Sequence, residues 1–252
     1  MSDTSKAPDG ERQFAVIAGS GFQALAKETE GRVFPTDFGA PSSPIRDLDY
    51  DGRTVFLLSR HGDSLLIPPH RINYRANMKA LELLGVTDII ALNTVGVIAK
   101  GFAPGSLAVP DQIIDYTSGR DHSIYDENSA SLEHIDFTNP LDSQLRLSLL
   151  RAAKAIGVSC HDGGVYAATQ GPRLETAAEV NRLESDGADY VGMTAMPEAS
   201  LSMELGMRFA CLSLIVNYAA GRGEKAIHED IEASTASARE QSMKILNAFF
   251  TA

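Results

Sequence analysis

The sequence predicts an α/β fold in which helices cover both faces of a β-sheet. Three observations predict it. Short β-branched or apolar runs recur along the chain, helical patterns with recognisable ends lie between them, and several runs lack the strict alternation of a half-exposed strand. At 252 residues, 44% of them hydrophobic, the chain is long enough to bury a full core, and we read one domain over 13–252 behind a loose tail at 1–12.

The first two runs are "FAVIA" (14–18) and "TVFLL" (54–58), both too short for a helix and suited to a buried pleated surface. "INYRANMKALELLG" (72–85) then places Tyr74, Met78, Leu81 and Leu84 near helical spacing and stops at Gly85, a good C-cap. Further strands follow at "DIIAL" (88–92), "SLAVP" (106–110), "GVYAAT" (164–169), "DYVGM" (189–193) and "FACLSLIV" (209–216). Between the fifth and sixth runs of this series, Thr176 and Glu179 form the S/T-x-x-E pattern of a helix start, in which each side chain bonds the other's backbone N–H. "PEASLSMELG" (197–206) has Pro197 where a first-turn proline belongs and Gly206 where a cap belongs. Residues 228–250 read as a long final helix, and the polar stretch 117–136 as a loop of the length that serves function or an interface.

Composition narrows the function. With 22 basic against 33 acidic side chains the net charge is -11, which argues against neutralising many phosphates along a nucleic acid but leaves room for one small anion. The opening residues lack the pattern of a signal peptide, and no apolar run has the length of a membrane span, so a cytoplasmic protein with no membrane contact is expected. Cys160 and Cys211 have neither disulfide-framework nor zinc spacing, and the six histidines are dispersed without an HExxH pattern, so no metal is expected.

The unusual residues gather after the predicted strands, where an open α/β sheet collects its ligand. "GSGF" (19–22) lets backbone N–H groups and the Ser20 hydroxyl approach an anion, although such a turn is more often only a turn. "SRHGD" sets Arg60 beside His61; Arg offers a planar fork to an oxyanion, while a surface salt bridge is the commoner fate of either residue alone. "NTVG" reads as a small polar turn carrying Asn93 and Thr94, and Thr194 precedes the Pro197 helix, where its hydroxyl can serve the helix end or an anion. Four such strand ends point to one phosphate-sized site. The lack of GxxxxGK[ST] and GxGxxG patterns favours free phosphate over a nucleotide tail.

Taken together, "AGSGF", "SRHG", "PPHRINYRANMKALELLGV", "NTVG", "PDQIIDYT", "TQGPRLETAAE", "GMTAMPEASLSMELGM" and "IVNYAA" resemble the trimeric purine nucleoside and methylthioadenosine phosphorylases, in order, from about residue 14 to the final helix. The resemblance implies a central mixed sheet flanked by helices, a homotrimer, and phosphorolysis of a purine nucleoside with inorganic phosphate as co-substrate and no other cofactor. It implies that Ser20, Arg60, His61, Asn93, Thr94 (through its backbone) and Thr194 hold phosphate. Met193 then packs beneath the ribose, and His134 reaches a neighbouring subunit's sugar pocket.

Cleaving an N-glycosidic bond builds positive charge on the sugar and negative charge on the departing purine, so both ends need stabilisation. Asn217, Glu175 and His61 are the residues assigned to that chemistry. Because Thr176 and Glu179 suffice to cap their helix, Glu175 is free to read a ligand, and the helix dipole favours its ionised form. A carboxylate accepts but does not donate, so it suits the N1–H of hypoxanthine or guanine and repels the bare N1 lone pair of adenine. The adenine-directed branch of the family carries an aspartate at position 217 and another two residues on; Asn217 and Ala219 here resemble the 6-oxopurine branch. At the sugar's 5′ end, His228 favours a hydroxyl, while "PPHRINYRAN" resembles the methylthio branch. The expected reaction is phosphorolysis of inosine or guanosine, with 5′-methylthioinosine and then methylthioadenosine as alternatives. A non-catalytic phosphate- or nucleoside-binding module is the remote rival.

Overall fold

The computed structural model describes residues 12–22, 25, 30–64, 66–127, 129–223 and 231–251. Residues 1–11 of the expected tail, His228 and the expected start of the last helix lie outside that set. Among the described residues the elements run β1 (Phe14–Ala18), β2 (Gly31–Arg32), β3 (Ile45–Tyr50), β4 (Arg53–Ser59), α1 (Tyr74–Leu83), β5 (Asp88–Val97), β6 (Leu107–Val109) and β7 (Gln112–Asp115). They continue with α2 (Ser143–Ala155), β8 (Cys160–Asp162), β9 (Val165–Ala168), α3 (Ala177–Ser185), β10 (Tyr190–Gly192), α4 (Glu198–Glu204), β11 (Arg208–Tyr218) and α5 (Ile231–Phe250).

Every predicted strand is present, and the sheet is mixed. β1 lies parallel between β4 and β5, β3 and β4 form an antiparallel pair, and β10 pairs antiparallel with β5 and parallel with β9. β5 is the branch point. Its residues 88–91 pair β1, its residues 96–97 pair β10, and along its other edge β11 runs parallel for its full length. On the side of β1 and β10, residues 92–95 therefore have no strand partner among the described residues, and their backbone groups there are available to side chains or to a ligand.

The alternation of strand side chains explains the two layers of core. One face of the sheet buries Ile17, Leu58, Ile89 and Phe209 against Met78 and Leu81 of α1 and Leu201 of α4. The other buries Val16, Leu57, Ile90 and Leu212 against Leu145 and Leu149 of α2 and Ile245 and Leu246 of α5. Each fully buried leucine or isoleucine contributes about 1.5–3 kcal/mol relative to exposure. Helix α2, absent from the sequence reading, starts at Asp142, whose side chain accepts from the Leu145 N–H at 2.7 Å.

Two local expectations are corrected. Asn93 and Thr94 do not form a turn after a strand; they lie inside the ten-residue β5, which continues because β11 pairs it throughout. Pro197 is the N-cap of α4 rather than its first helical residue, and that end carries no side-chain cap.

Candidate active site

A cleft of about 480 Å³ opens where β1, β5, β10 and β11 diverge, within the roughly 300–1,000 Å³ usual for small-molecule sites. Its walls include Ser20, Arg60, His61, Asn93, Thr94, Glu175, Met193, Thr194, Asn217 and Ala219, so the structure brings these ten sequence-selected residues together. His134 is exposed on the 117–136 loop and does not line this cleft.

One end of the cleft is built on a fully buried arginine. Arg60 follows β4, and its Nε and Nη2 donate to the two carboxylate oxygens of Glu198 at 2.6 and 2.9 Å, while Nη1 donates to the Leu92 carbonyl at 2.9 Å. Burial alone would lower the Arg60 pKa; the Glu198 carboxylate overcomes it and the pKa rises. Gly19 is required for this arrangement, because a Cβ there would stand 2.8 Å from the Leu92 oxygen and 2.9 Å from Nη1. His61 Nδ1 lies 2.8 Å from the Ile67 carbonyl. A carbonyl only accepts, so Nδ1 carries the proton. Burial and then the Arg60 charge hold the His61 pKa below its usual value, which keeps the ring neutral and its Nε2 available as an acceptor.

Asn93 lines the cleft but is only 2% exposed, and its amide donates to Cys211 Sγ and accepts from Ser213 Oγ. Its side chain thus ties β5 to β11, and the open stretch of β5 presents backbone to the cleft. Thr194 does not cap α4. Its hydroxyl stands 3.4 Å from that of Tyr166, and the next residue, Ala195, takes φ +70°, a left-handed conformation unusual for a residue with a Cβ. Gly192 permits this crowding, since a Cβ there would collide with the Tyr166 hydroxyl.

At the opposite end, Glu175 leads into α3. Thr176 accepts from the Glu179 N–H at 3.1 Å and Glu179 accepts from the Thr176 N–H at 2.7 Å, the reciprocal cap read from the sequence. Glu175 takes no part in it. Its Oε1 accepts from the Thr169 hydroxyl at 2.7 Å, which fixes the half-buried carboxylate at the cleft wall. Asn217 sits just after a register shift between Ile215 and Asn217 in β11, a bulge of the kind that re-aims a side chain. Its Nδ2 donates to the Tyr218 carbonyl at 2.7 Å, above Gly96, whose missing Cβ leaves room for the amide. Met193 packs on Gly171 of the same "TQGPRLE" loop, where a Cβ would press on its sulfur at 2.5 Å.

Three residues escaped the sequence reading. Glu198 was unremarkable within "MPEAS", 138 positions from Arg60. Arg120, 8% exposed, donates to the carbonyls of Thr169, Gln170, Met193 and Met196 and to the Tyr74 hydroxyl, tying the Glu175 loop to the Met193–Met196 turn. Thr235 of α5 lines the cleft with a buried hydroxyl that has no protein partner among the described residues. Its sequence context, "ASTASA", gave no signal beyond helix.

A forked α/β sheet whose divergence holds a buried arginine, an amide and a carboxylate around one cleft is the frame of a nucleoside-type phosphorylase. The chain belongs to the phosphorylase superfamily, whose model matches residues 13–251. It is 48% identical over 212 residues to a "Probable S-methyl-5'-thioinosine phosphorylase" of Xanthomonas campestris pv. campestris, covering 83% of this chain and 85% of that one. It is 37% identical over 243 residues to a "6-oxopurine nucleoside phosphorylase" of Pyrococcus furiosus, covering 94% and 91%. Among solved structures, methylthioadenosine phosphorylase from Schistosoma mansoni in complex with tubercidin superposes with a TM-score of 0.88 at 28% identity, covering 95% of this chain and 91% of that one. The chain is thus a pentosyltransferase of this superfamily acting on purine or methylthio-purine nucleosides. No helix among the described residues is long and apolar enough to cross a membrane.

Proposed function

We propose that this enzyme cleaves S-methyl-5′-thioinosine with phosphate, giving hypoxanthine and the methylthioribose 1-phosphate. One observation carries the reading: a single cleft joins a base end of Glu175, Asn217 and Ala219 to an apolar wall of Ile67, Pro68 and Pro69. The base end matches a purine bearing N1–H and offers no second carboxylate for a 6-amino purine. The apolar wall suits a thioether, since these three side chains offer a hydroxyl no hydrogen-bonding group. The relatives at 47–48% identity in Xanthomonas, Xylella and Pseudomonas, named as probable methylthioinosine phosphorylases, support the same choice over inosine and guanosine.

In this reading phosphate lies against the free edge of Arg60, the Ser20 and Thr194 hydroxyls, the Thr94 backbone and His61, with Met193 beneath the ribose. The C1′–N9 bond breaks as a phosphate oxygen bonds C1′; its electron pair leaves on the purine, which takes a proton from solvent to become hypoxanthine, while the sugar phosphate gives up its P–OH proton. Phosphate offsets the positive sugar, and Asn217 and Glu175 bond the purine more strongly as its ring gains charge. Neutral His61 accepts a P–OH hydrogen through Nε2. A homotrimer in which His134 reaches the neighbouring subunit's sugar completes the proposal.

Inosine and guanosine form the second reading, favoured by the high mutual coverage with the Pyrococcus enzyme. Specificity constants for methylthioinosine, inosine, guanosine and methylthioadenosine at saturating phosphate decide between them. The proposal expects methylthioinosine to lead inosine at least tenfold; a preference for inosine or guanosine overturns it in favour of the second reading.

A further inference from the structure

We propose that Glu198 is the positioning residue of the phosphate subsite, acting through Arg60; the inference rests on the phosphorylase reading above. Arg60 and Glu198 are both 0% exposed and meet by two hydrogen bonds, an arrangement that fixes the plane of the guanidinium as well as its place. A guanidinium has five N–H groups. Glu198 takes one on Nε and one on Nη2, and the Leu92 carbonyl takes one on Nη1, so one N–H remains on each terminal nitrogen. Those two have no acceptor among the described residues, and Arg60 lines the cleft, so they are the donors it can offer an oxyanion there.

The pairing also sets the charge. Glu198 cancels the formal charge of Arg60, and His61 is held neutral by burial and by Arg60 itself. The subsite therefore recognises phosphate by directed donors around a neutral pair rather than by net positive charge. A dianion held in this way keeps its own charge available to the developing sugar cation, which a free arginine would screen. Glu198 has this effect without touching the substrate: it does not line the cleft, and its carboxylate bonds only Arg60 among the described residues.

The test is two-substrate kinetics on Glu198→Asp and Glu198→Gln, beside wild type, with the folded fraction of each measured by circular dichroism. Glu198→Gln leaves a buried cation unpaired and risks misfolding; Glu198→Asp keeps the charge, withdraws it by one methylene and carries the test if the amide variant fails. The expected result for Glu198→Asp is a phosphate KM raised at least tenfold, with the nucleoside KM within twofold of wild type. Arg60→Lys should reproduce that phosphate-selective defect, and adding Glu198→Asp to it should change the phosphate KM less than threefold further. A purely structural glutamate would instead reduce kcat in proportion to the folded fraction and leave both KM values unchanged, and that result overturns the proposal. If wild type itself releases base without phosphate, the phosphorylase reading fails first, and the variants are not needed to see it.

Discussion

Replacing Glu175 with methionine probes its proposed base-reading role with little change in volume. In the structure Glu175 receives the Thr169 hydroxyl at 2.7 Å, and the same hydroxyl has a second acceptor in the Gly192 carbonyl at 3.2 Å, so the substitution leaves no buried donor stranded. The helix that follows keeps its cap, because Thr176 and Glu179 close it without Glu175. The loss falls on the ligand. A hydrogen bond to a charged acceptor contributes about 1.5–3 kcal/mol, so the specificity constant for a 6-oxopurine nucleoside should fall roughly ten- to 150-fold. A 6-aminopurine nucleoside, whose bare N1 faces the carboxylate repulsively, should lose nothing or gain. The assay is initial-rate base release from methylthioinosine and methylthioadenosine at saturating phosphate, with a thermal melt as the folding control. A ratio of the two specificity constants within threefold of wild type, in a variant that melts normally, refutes the assignment.

Asn217→Asp should move the preference in the same direction by a different route, since a carboxylate can accept from the 6-amino group of adenine but repels the 6-oxo oxygen to which the amide can donate. An unchanged ratio of inosine to adenosine turnover contradicts it. Arg120→Met removes the donor shared by the carbonyls of Thr169, Gln170, Met193 and Met196, and should destabilise the fold by about 3 kcal/mol or more in urea unfolding. A loss under about 1 kcal/mol would mean that Arg120 does not hold these turns together.

Much of this was legible in local sequence. Strands such as Phe14–Ala18 and Arg208–Tyr218 announce themselves because a strand buried on both faces reads as an unbroken apolar run. The separation of Glu175 from its helix cap was readable because a reciprocal cap is a local pattern with fixed spacing. Helix α2 was readable too, in Asp142 followed by Leu145 and Leu149 at i, i+4, and was missed beside stronger signals. What local sequence withholds is pairing. Nothing within ten residues of Asn93 shows that β5 runs on between two diverging neighbours, which turns an apparent loop into open backbone and sends the Asn93 amide to Ser213. Glu198 and Arg120 are ordinary surface-type residues by sequence; their burial follows from partners 138 and 46–76 positions away.

The most direct measurement is release of hypoxanthine from S-methyl-5′-thioinosine by the purified enzyme, with and without inorganic phosphate. The structure predicts release that requires phosphate and yields methylthioribose 1-phosphate in equal amount. Release at the same rate without phosphate contradicts the reading of the Arg60 end of the cleft as the seat of the nucleophile, and none at all with it contradicts the choice of substrate.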